Sequence, residues 1–214
     1  MYPLEAPRKP TIEDNWRGII LYGQNTQSYK FSLAKSLLEL NPAEGDLLKL
    51  EDLAPVYAKH LTEHLKIADK QGSAGSSKFL DACRSFNLGA STHSDLVNAT
   101  VQLGFANVID AFHRVNRDDV RYRFFQDERK IVGGIRITEN FSRLEESPQF
   151  QDLSNEAEAR WRLVETAWEL NVSKALITIK HDPEMEVLFT FDHELRRKNV
   201  TSSRDALNGY QKGY

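Results

Sequence analysis

The spacing of apolar residues in the first half of the chain constrains the fold most strongly. In the stretch SYKFSLAKSLLEL, apolar residues recur at intervals of three and four, and Asn41-Pro42 ends the pattern. The longer stretch LEDLAPVYAKHLTEHLKIADKQ repeats the spacing, with Pro55 placed in its first turn, where proline is tolerated. Such spacing puts the apolar side chains on one face of an α-helix. The residues concerned are Phe31, Ala34, Leu37 and Leu38 in the first stretch, and Leu53, Tyr57, Leu61, Leu65 and Ala68 in the second.

The pattern changes after Asn116. Two stretches, VRYRFFQDERKIVGGIRIT and KALITIKHDPEMEVLFTFD, have aromatic and β-branched runs separated by polar turn residues, which predicts two short hairpins. Between them, NEAEARWRLVETAWEL has an apolar stripe that includes Trp161 and Trp168, and we interpret it as a helix with both tryptophans in the core. The sequence therefore predicts a helix-dominated α+β protein with a helical region at 1–116 and a mixed region at 117–214, packed as one compact unit.

Composition excludes several classes of protein. The chain has 214 residues, of which 40% are hydrophobic, and its net charge of −3 argues against uniform coating of nucleic acid. No apolar run approaches the length of a membrane span, and MYPLEAPRKPTIEDNW lacks the apolar segment of a signal peptide, so we expect a cytoplasmic protein with no membrane partner. The single cysteine, Cys83, excludes an internal disulfide and is interpreted as a buried structural thiol.

Positive charge is concentrated in two segments. From His193 to Tyr214, three Arg and two Lys face one Glu and one Asp; from Arg114 to Arg136, six Arg and one Lys face three Asp and one Glu. Such segments can contact phosphate, although a solvated face or a protein partner explains them equally well. The candidates for DNA-phosphate contact are Arg196, Arg197, Lys198, Arg204 and Lys212, and a second basic patch comprises Arg114, Arg117, Arg121 and Arg123.

Two short motifs would make the chain an enzyme in its own right. HLTEH, from His60 to His64, has the spacing of one zinc-peptidase motif, with Glu63 as the base. Because the helix's core stripe passes between the two histidines, we expect them to flank it at the surface. Glu128 and Lys130 fit the Glu-x-Lys pattern of some metal-dependent nucleases, but they fall in a predicted turn and lack an upstream Pro-Asp partner.

The chain ends in a well-punctuated basic segment, TSSRDALNGYQKGY. Ser202 is a good helix N-cap, and Gly213 stands where a helix usually ends. We therefore predict a short terminal helix that leads onward to another structural unit.

Five segments together resemble a group of bacterial HNH endonucleases, some of them linked to defence against phage. They are LYGQNTQSYKFSLAKSLLEL, SSKFLDACRSFN, GFANVIDAFHRVN, EARWRLVETAW and TSSRDALNGYQKG, and they extend over nearly the whole chain. In that group such a region precedes an HNH module. The resemblance implies that this chain stops where a Cys-x-x-Cys zinc knuckle and the ββα-metal motif would begin. It therefore implies a divalent metal and a structural zinc only in the absent module, with no catalytic residue and no cofactor in these 214 residues.

Two functional hypotheses follow from the resemblance and the charge pattern. The first is a DNA-positioning or specificity domain of an HNH-type defence nuclease, a class that hydrolyses phosphodiesters with a metal ion. The second is a protein-interaction scaffold that recruits another defence component or a phage protein without touching DNA.

Overall fold

The computed structural model describes residues 10–22, 26–73, 76–115 and 118–170, together with the backbone of strands at 179–182 and 187–190. The helices are Ile12–Arg17 (α1), Tyr29–Leu40 (α2), Leu50–Leu65 (α3), Lys78–Asn87 (α4), His93–Ala99 (α5), Val108–Ala111 (α6), Arg129–Val132 (α7), Glu139–Glu145 (α8) and Phe150–Glu169 (α9). The strands are Leu47–Lys49 (β1), Arg114–Val115 (β2), Asp118–Asp119 (β3), Phe125–Glu128 (β4), Gly134–Ile137 (β5), Ile179–Asp182 (β6) and Val187–Thr190 (β7). Two π-helical segments span Gly18–Tyr22 and Thr100–Gly104. These elements confirm the predicted helix-dominated α+β class.

Helices α2, α3 and α9 form the main helical layer, with α2 packed against both of the others. The predicted apolar faces are buried, including the tryptophan stripe of α9. Phe31 of α2 stacks on Trp161 with ring centroids 5.8 Å apart. Helix α2 ends as expected, because Asn41 adopts the left-handed conformation at φ 43° and its N–H bonds the carbonyl of Leu37.

Helix α3 begins at Leu50, three residues before Leu53, the first residue of the predicted apolar face. Pro55 therefore lies in the second turn, so its predicted place in the first turn was wrong. Helix α4 is capped at its start by Ser77, whose Oγ accepts a hydrogen bond from the N–H of Leu80, and Gly89 follows the helix with φ +73°. Cys83 on this helix is fully buried, as predicted, and burial raises the pKa of its thiol to about 12.

The first predicted hairpin forms between β4 and β5, and α7 occupies the connection between the strands. Strand β5 is central in a three-stranded antiparallel sheet ordered β1-β5-β4. Because β1 belongs to the first half of the chain and β5 to the second, the two predicted regions share one sheet. The hairpin β6–β7 is also antiparallel, as predicted, while the expected terminal helix at 202–213 lies outside the described residues.

A glycine in β5 permits the close approach of β1. A Cβ atom added at Gly134 would lie 2.3 Å from the carbonyl oxygen of Leu48, which is backbone and cannot rotate away. We expect Gly134→Ala to displace β1 and to lower the free energy of unfolding by about 1–3 kcal/mol, a typical cost of overpacking. Urea unfolding measures the effect.

Gly18→Ala is the matched control for that prediction. Gly18 has helical backbone angles, and an added Cβ would meet only Val115 Cγ2 at 3.9 Å, an ordinary contact. We expect the control to change stability by less than about 0.5 kcal/mol. Equal losses in the free energy of unfolding for Gly134→Ala and Gly18→Ala would contradict the assigned contact between β1 and β5.

Trp16 of α1 is the centre of an aromatic part of the core. Trp16 of α1 is only 1% exposed and makes edge contacts with three phenylalanine rings, at centroid distances of 5.0–6.1 Å. A capping box formed by Thr11 and Asp14 starts this short helix and sets its position. The rings that contact Trp16 are those of Phe112, Phe124 and Phe141.

Candidate nucleic-acid interface

Four exposed arginines surround the β2–β3 hairpin and the segment after it. Arg114 Nε lies 3.6 Å from Asp119 Oδ1, and Arg123 pairs with the other oxygen of the same carboxylate. The guanidinium carbons of the other two arginines lie 5.3 and 5.8 Å from the centroid of the Tyr122 ring, within cation–π distance. Asp119 and Tyr122 thus link four cations into one surface, which we call the arginine patch. Its members are Arg114, Arg121, Arg123 and Arg143.

The segment 120–124, which carries two of these arginines, has its backbone fixed from several sides. The N–H of Val120 donates to the carbonyl of His113 at 2.8 Å, and the N–H of Arg121 donates to Asn15 Oδ1 at 3.2 Å. The carbonyl of Arg123 accepts two side-chain hydrogen bonds from the start of α8, from Thr138 Oγ1 at 2.6 Å and Asn140 Nδ2 at 2.9 Å. The main chain is therefore held in place while both guanidinium groups remain exposed.

A buried histidine completes this support. His113 Nε2 accepts a hydrogen bond from the N–H of Phe124 at 2.9 Å, so the ring is neutral and carries its proton on Nδ1. Burial, and to a smaller extent the positive charge of Arg123, lower the pKa of His113 to about 3. The acceptor nitrogen consequently keeps its lone pair, and the hydrogen bond persists, at any pH above that value.

A buried lysine lies behind β2. Lys30 Nζ donates a 2.6 Å hydrogen bond to the carbonyl of Arg114, and the residue is 7% exposed. Burial and then the nearby charge of Arg114 lower the pKa of Lys30 to about 8. With that pKa, most of the ammonium groups are charged at pH 7. Lys30 therefore adds positive charge beneath the patch without being part of its surface.

The structure brings together three residues of the predicted second basic patch: Arg114, Arg121 and Arg123. The fourth, Arg117, lies outside the described residues, as do the five candidates Arg196, Arg197, Lys198, Arg204 and Lys212. Sequence reasoning missed Arg143, which lies in the last turn of α8 and reaches Tyr122 from another element. Nothing in the spacing of the sequence links positions 122 and 143.

The predicted surface position of the HLTEH histidines was wrong. His60 and His64 are 6% and 5% exposed, and both lie on the buried face of α3, while Glu63 is exposed and faces away. His64 Nδ1 lies 2.7 Å from Glu165 Oε1, and its Nε2 lies 3.1 Å from Glu158 Oε2. The apolar stripe did not reveal these partners because they come from α9, about a hundred positions later.

Both nitrogens of His64 face carboxylate oxygens, which requires a doubly protonated ring that donates twice. Burial lowers the pKa of His64, but hydrogen bonds to Glu158 and Glu165 outweigh it, so the pKa is raised above its ordinary value.

The His64 ring also stacks on Trp161, with ring centroids 3.5 Å apart. Lys35 pairs with Glu158, and Gln71 donates to Glu165 and accepts from the Trp161 indole. This His64 cluster joins α2, α3 and α9.

The Glu-x-Lys pair is also engaged in structure. Glu128 Oε1 and Oε2 accept hydrogen bonds from Arg136 Nε and Nη2, each at 2.9 Å, across the β4–β5 ladder. The bonds from Arg136 hold the pKa of Glu128 below its ordinary value. Lys130 follows on α7 rather than in the turn that the sequence predicted. The fork of the guanidinium takes both oxygens that a metal ion would need.

In the described ranges, no group of three or more His, Cys, Asp and Glu side chains is arranged to hold a metal ion. Across the same part of the chain, none of the helices has the length and apolar character needed to cross a membrane. Comparison of the chain with family models, with curated proteins and with solved structures gives no match.

Proposed function

We propose that this chain is a DNA-positioning or specificity domain of an HNH-type endonuclease that acts in the bacterial cytoplasm against phage. In this proposal the chain supplies no catalytic residue, and the metal and zinc belong to an HNH module outside these residues. DNA is held by the arginine patch together with the C-terminal cations Arg196, Arg197, Lys198, Arg204 and Lys212.

The observation that carries the proposal is a fixed backbone bearing exposed guanidinium groups at 120–124. Protein groups that position DNA contact its phosphates, and arginine suits this task because its planar fork matches two phosphate oxygens. Exposed side chains can reach a phosphate, and a fixed main chain loses little conformational freedom when they do. The resemblance to HNH endonucleases favours DNA as the polymer.

The arginine patch also favours contact with the backbone of a duplex over stacking on unpaired bases. Proteins that bind single strands present open aromatic faces to the bases. The ring of Tyr122 is half-buried and has Arg121 and Arg143 within cation–π distance. The aromatic group at the centre of the patch thus serves to hold cations.

Charge reversal tests this proposal. We expect the triple variant Arg121→Glu, Arg123→Glu and Arg143→Glu to bind a duplex of random sequence about 100-fold more weakly at 50 mM salt, because three phosphate contacts become repulsive. The slope of log affinity against log salt should fall by about 2–3, since each lost contact removes about 0.9. Fluorescence anisotropy over a salt series measures both quantities.

The matched control reverses three exposed lysines on other surfaces: Lys49, Lys66 and Lys78. It changes the net charge by the same amount, so only the position of the charges differs. If the two triple variants lose similar DNA affinity, net charge alone explains the effect, and the arginine patch is rejected as the DNA-binding surface. Thermal unfolding of both proteins checks that each remains folded.

A protein-interaction scaffold is the second candidate, and exposed apolar residues favour it. Leu88 after α4 is 83% exposed and Ile67 after α3 is 69% exposed. The two helix ends are tied together, because Arg84 bonds Asp69 and Asn87 donates to the carbonyl of Thr62. This function would be favoured over DNA positioning by two results together. The protein would have no DNA affinity at low salt, and it would form a stable complex with another protein that Leu88→Glu disrupts.

A further inference from the structure

The β2–β3 hairpin places one carboxylate between two arginines of the patch. Arg114 and Asp119 are directly opposite each other in the ladder, and Arg123 follows Asp119 by four positions. Each oxygen of Asp119 faces a different guanidinium: Oδ1 faces Arg114 and Oδ2 faces Arg123. Two guanidinium groups from separate segments thus converge on a single anion.

The positions of both arginines are set independently of that anion. The carbonyl of Arg114 is held by buried Lys30, and the carbonyl of Arg123 is held by Thr138 and Asn140. The main chain that carries the two side chains therefore has anchors besides the ion pairs with Asp119. Asp119 therefore lies between two guanidinium groups whose main chain is fixed by other contacts.

Exchange of this carboxylate for another anion costs little. The side chains of Arg114, Arg123 and Asp119 are 65%, 56% and 45% exposed, so water already solvates all three. Ion pairs this exposed contribute at most about 1 kcal/mol each. A phosphodiester offers two anionic oxygens to the same guanidinium groups, and it stays attached to a polymer that makes further contacts.

We infer that Arg114 and Arg123 form one phosphate-binding cradle, and that Asp119 occupies this cradle until a DNA phosphate displaces it. The inference rests on the proposed function, since DNA supplies the phosphate. Asp119 then acts as a built-in competitor that weakens DNA binding, although it lies at the centre of the binding surface. Its removal should strengthen binding, the opposite of what loss of an ordinary contact residue does.

The neighbouring residue provides a matched control. Asp118 is also exposed and lies opposite Val115 in the same hairpin, and no ion pair joins it to another residue of the described ranges. Asp118→Asn and Asp119→Asn therefore remove the same charge from adjacent positions. Only Asp119→Asn releases Arg114 and Arg123.

The experiment measures affinity for a random-sequence DNA duplex at about 150 mM salt, where the Debye length of about 8 Å limits the effect of net charge alone. We expect Asp119→Asn to bind about fivefold more tightly than wild type, in line with the small energy of exposed ion pairs. Asp118→Asn should change the affinity less than about twofold. Adding Arg114→Gln to Asp119→Asn should cancel the gain, and Asp119→Ser serves as a second variant if the asparagine protein unfolds.

The outcomes separate the inference from the function on which it rests. If wild type binds DNA through the arginine patch but the Asp119 variants bind no more tightly than Asp118→Asn, Asp119 is not a competitor for DNA phosphate. The inferred cradle is then rejected, and the proposed function stands. If neither wild type nor any Asp119 variant binds at low salt, both are overturned. Binding by Asp119→Asn alone would support both, with Asp119 as a strong competitor.

Discussion

Replacing Glu165 with Ala is expected to lower the free energy of unfolding by about 3–5 kcal/mol, the usual cost of removing one partner of a buried ion pair. Glu165 is 4% exposed and lies 2.7 Å from His64 Nδ1. Its loss leaves the His64 ring half-paired and takes an acceptor away from Gln71. Urea unfolding at pH 6 measures the cost.

Glu169→Ala is the control for this variant, because Glu169 lies one turn later on α9 and is exposed. We expect it to change stability by less than about 0.5 kcal/mol. A loss below about 1 kcal/mol for Glu165→Ala, or equal losses for the two variants, would contradict the assigned role of the His64 cluster.

The loss of stability caused by Glu165→Ala should also depend on pH in a defined direction. Because the folded-state pKa of His64 is raised, its contribution to stability is complete below the unfolded value of about 6.5 and is lost as the pH rises through the folded value. Wild type should therefore lose stability over that interval, and Glu165→Ala should lose less. His64→Gln should remove this part of the pH dependence.

Trp16→Ala is expected to cost about 3–5 kcal/mol as well, since it opens a large cavity among three phenylalanine rings. One of those rings belongs to Phe124, which ends the fixed segment of the arginine patch, with its centroid 5.0 Å from that of Trp16. DNA affinity should therefore fall together with stability, even though no charge changes. Urea unfolding and anisotropy on the same protein test both effects.

Trp16→Phe distinguishes loss of volume from loss of the indole N–H. Trp16 Nε1 is buried and has no hydrogen-bond partner among the described residues, so its removal relieves an unsatisfied donor. We expect Phe at this position to cost no more than about 1 kcal/mol. Comparable costs for Trp16→Phe and Trp16→Ala would show that ring contacts do not account for the effect.

Local patterns were sufficient for most of the fold. The three- and four-residue spacing predicted α2, α3 and α9, and Asn41-Pro42 marked the end of α2 because capping depends on neighbours in sequence. The aromatic and β-branched runs separated by polar residues in VRYRFFQDERKIVGGIRIT predicted the hairpin of β4 and β5. Pro55 was misplaced because helix α3 starts at Leu50, before Leu53, the first residue of the predicted apolar face.

The candidate site was only partly predictable, since its geometry depends on long-range contacts. Charge concentration singled out Arg114, Arg121 and Arg123, but not Arg143, which joins them through the Tyr122 ring. Dependence on long-range contacts also explains why the position of His64 was predicted wrongly. The pattern of its own helix suggests a surface position, and only α9 supplies the carboxylates that make its burial favourable. The predicted C-terminal contacts, which lie outside the described residues, remain predictions.

The support of segment 120–124 has a consequence for the order in which the protein folds. The hydrogen bond from Arg121 to Asn15 joins residues 106 positions apart, and those from Thr138 and Asn140 reach back 15 and 17 positions to Arg123. Contacts between distant residues form late, because closing a long loop costs entropy before any contact repays it. During synthesis, the carbonyl of Arg123 therefore lacks both side-chain donors until the start of α8 has emerged from the ribosome. Under the proposed function, the arginine patch reaches its final geometry only after the start of α8 has been synthesised.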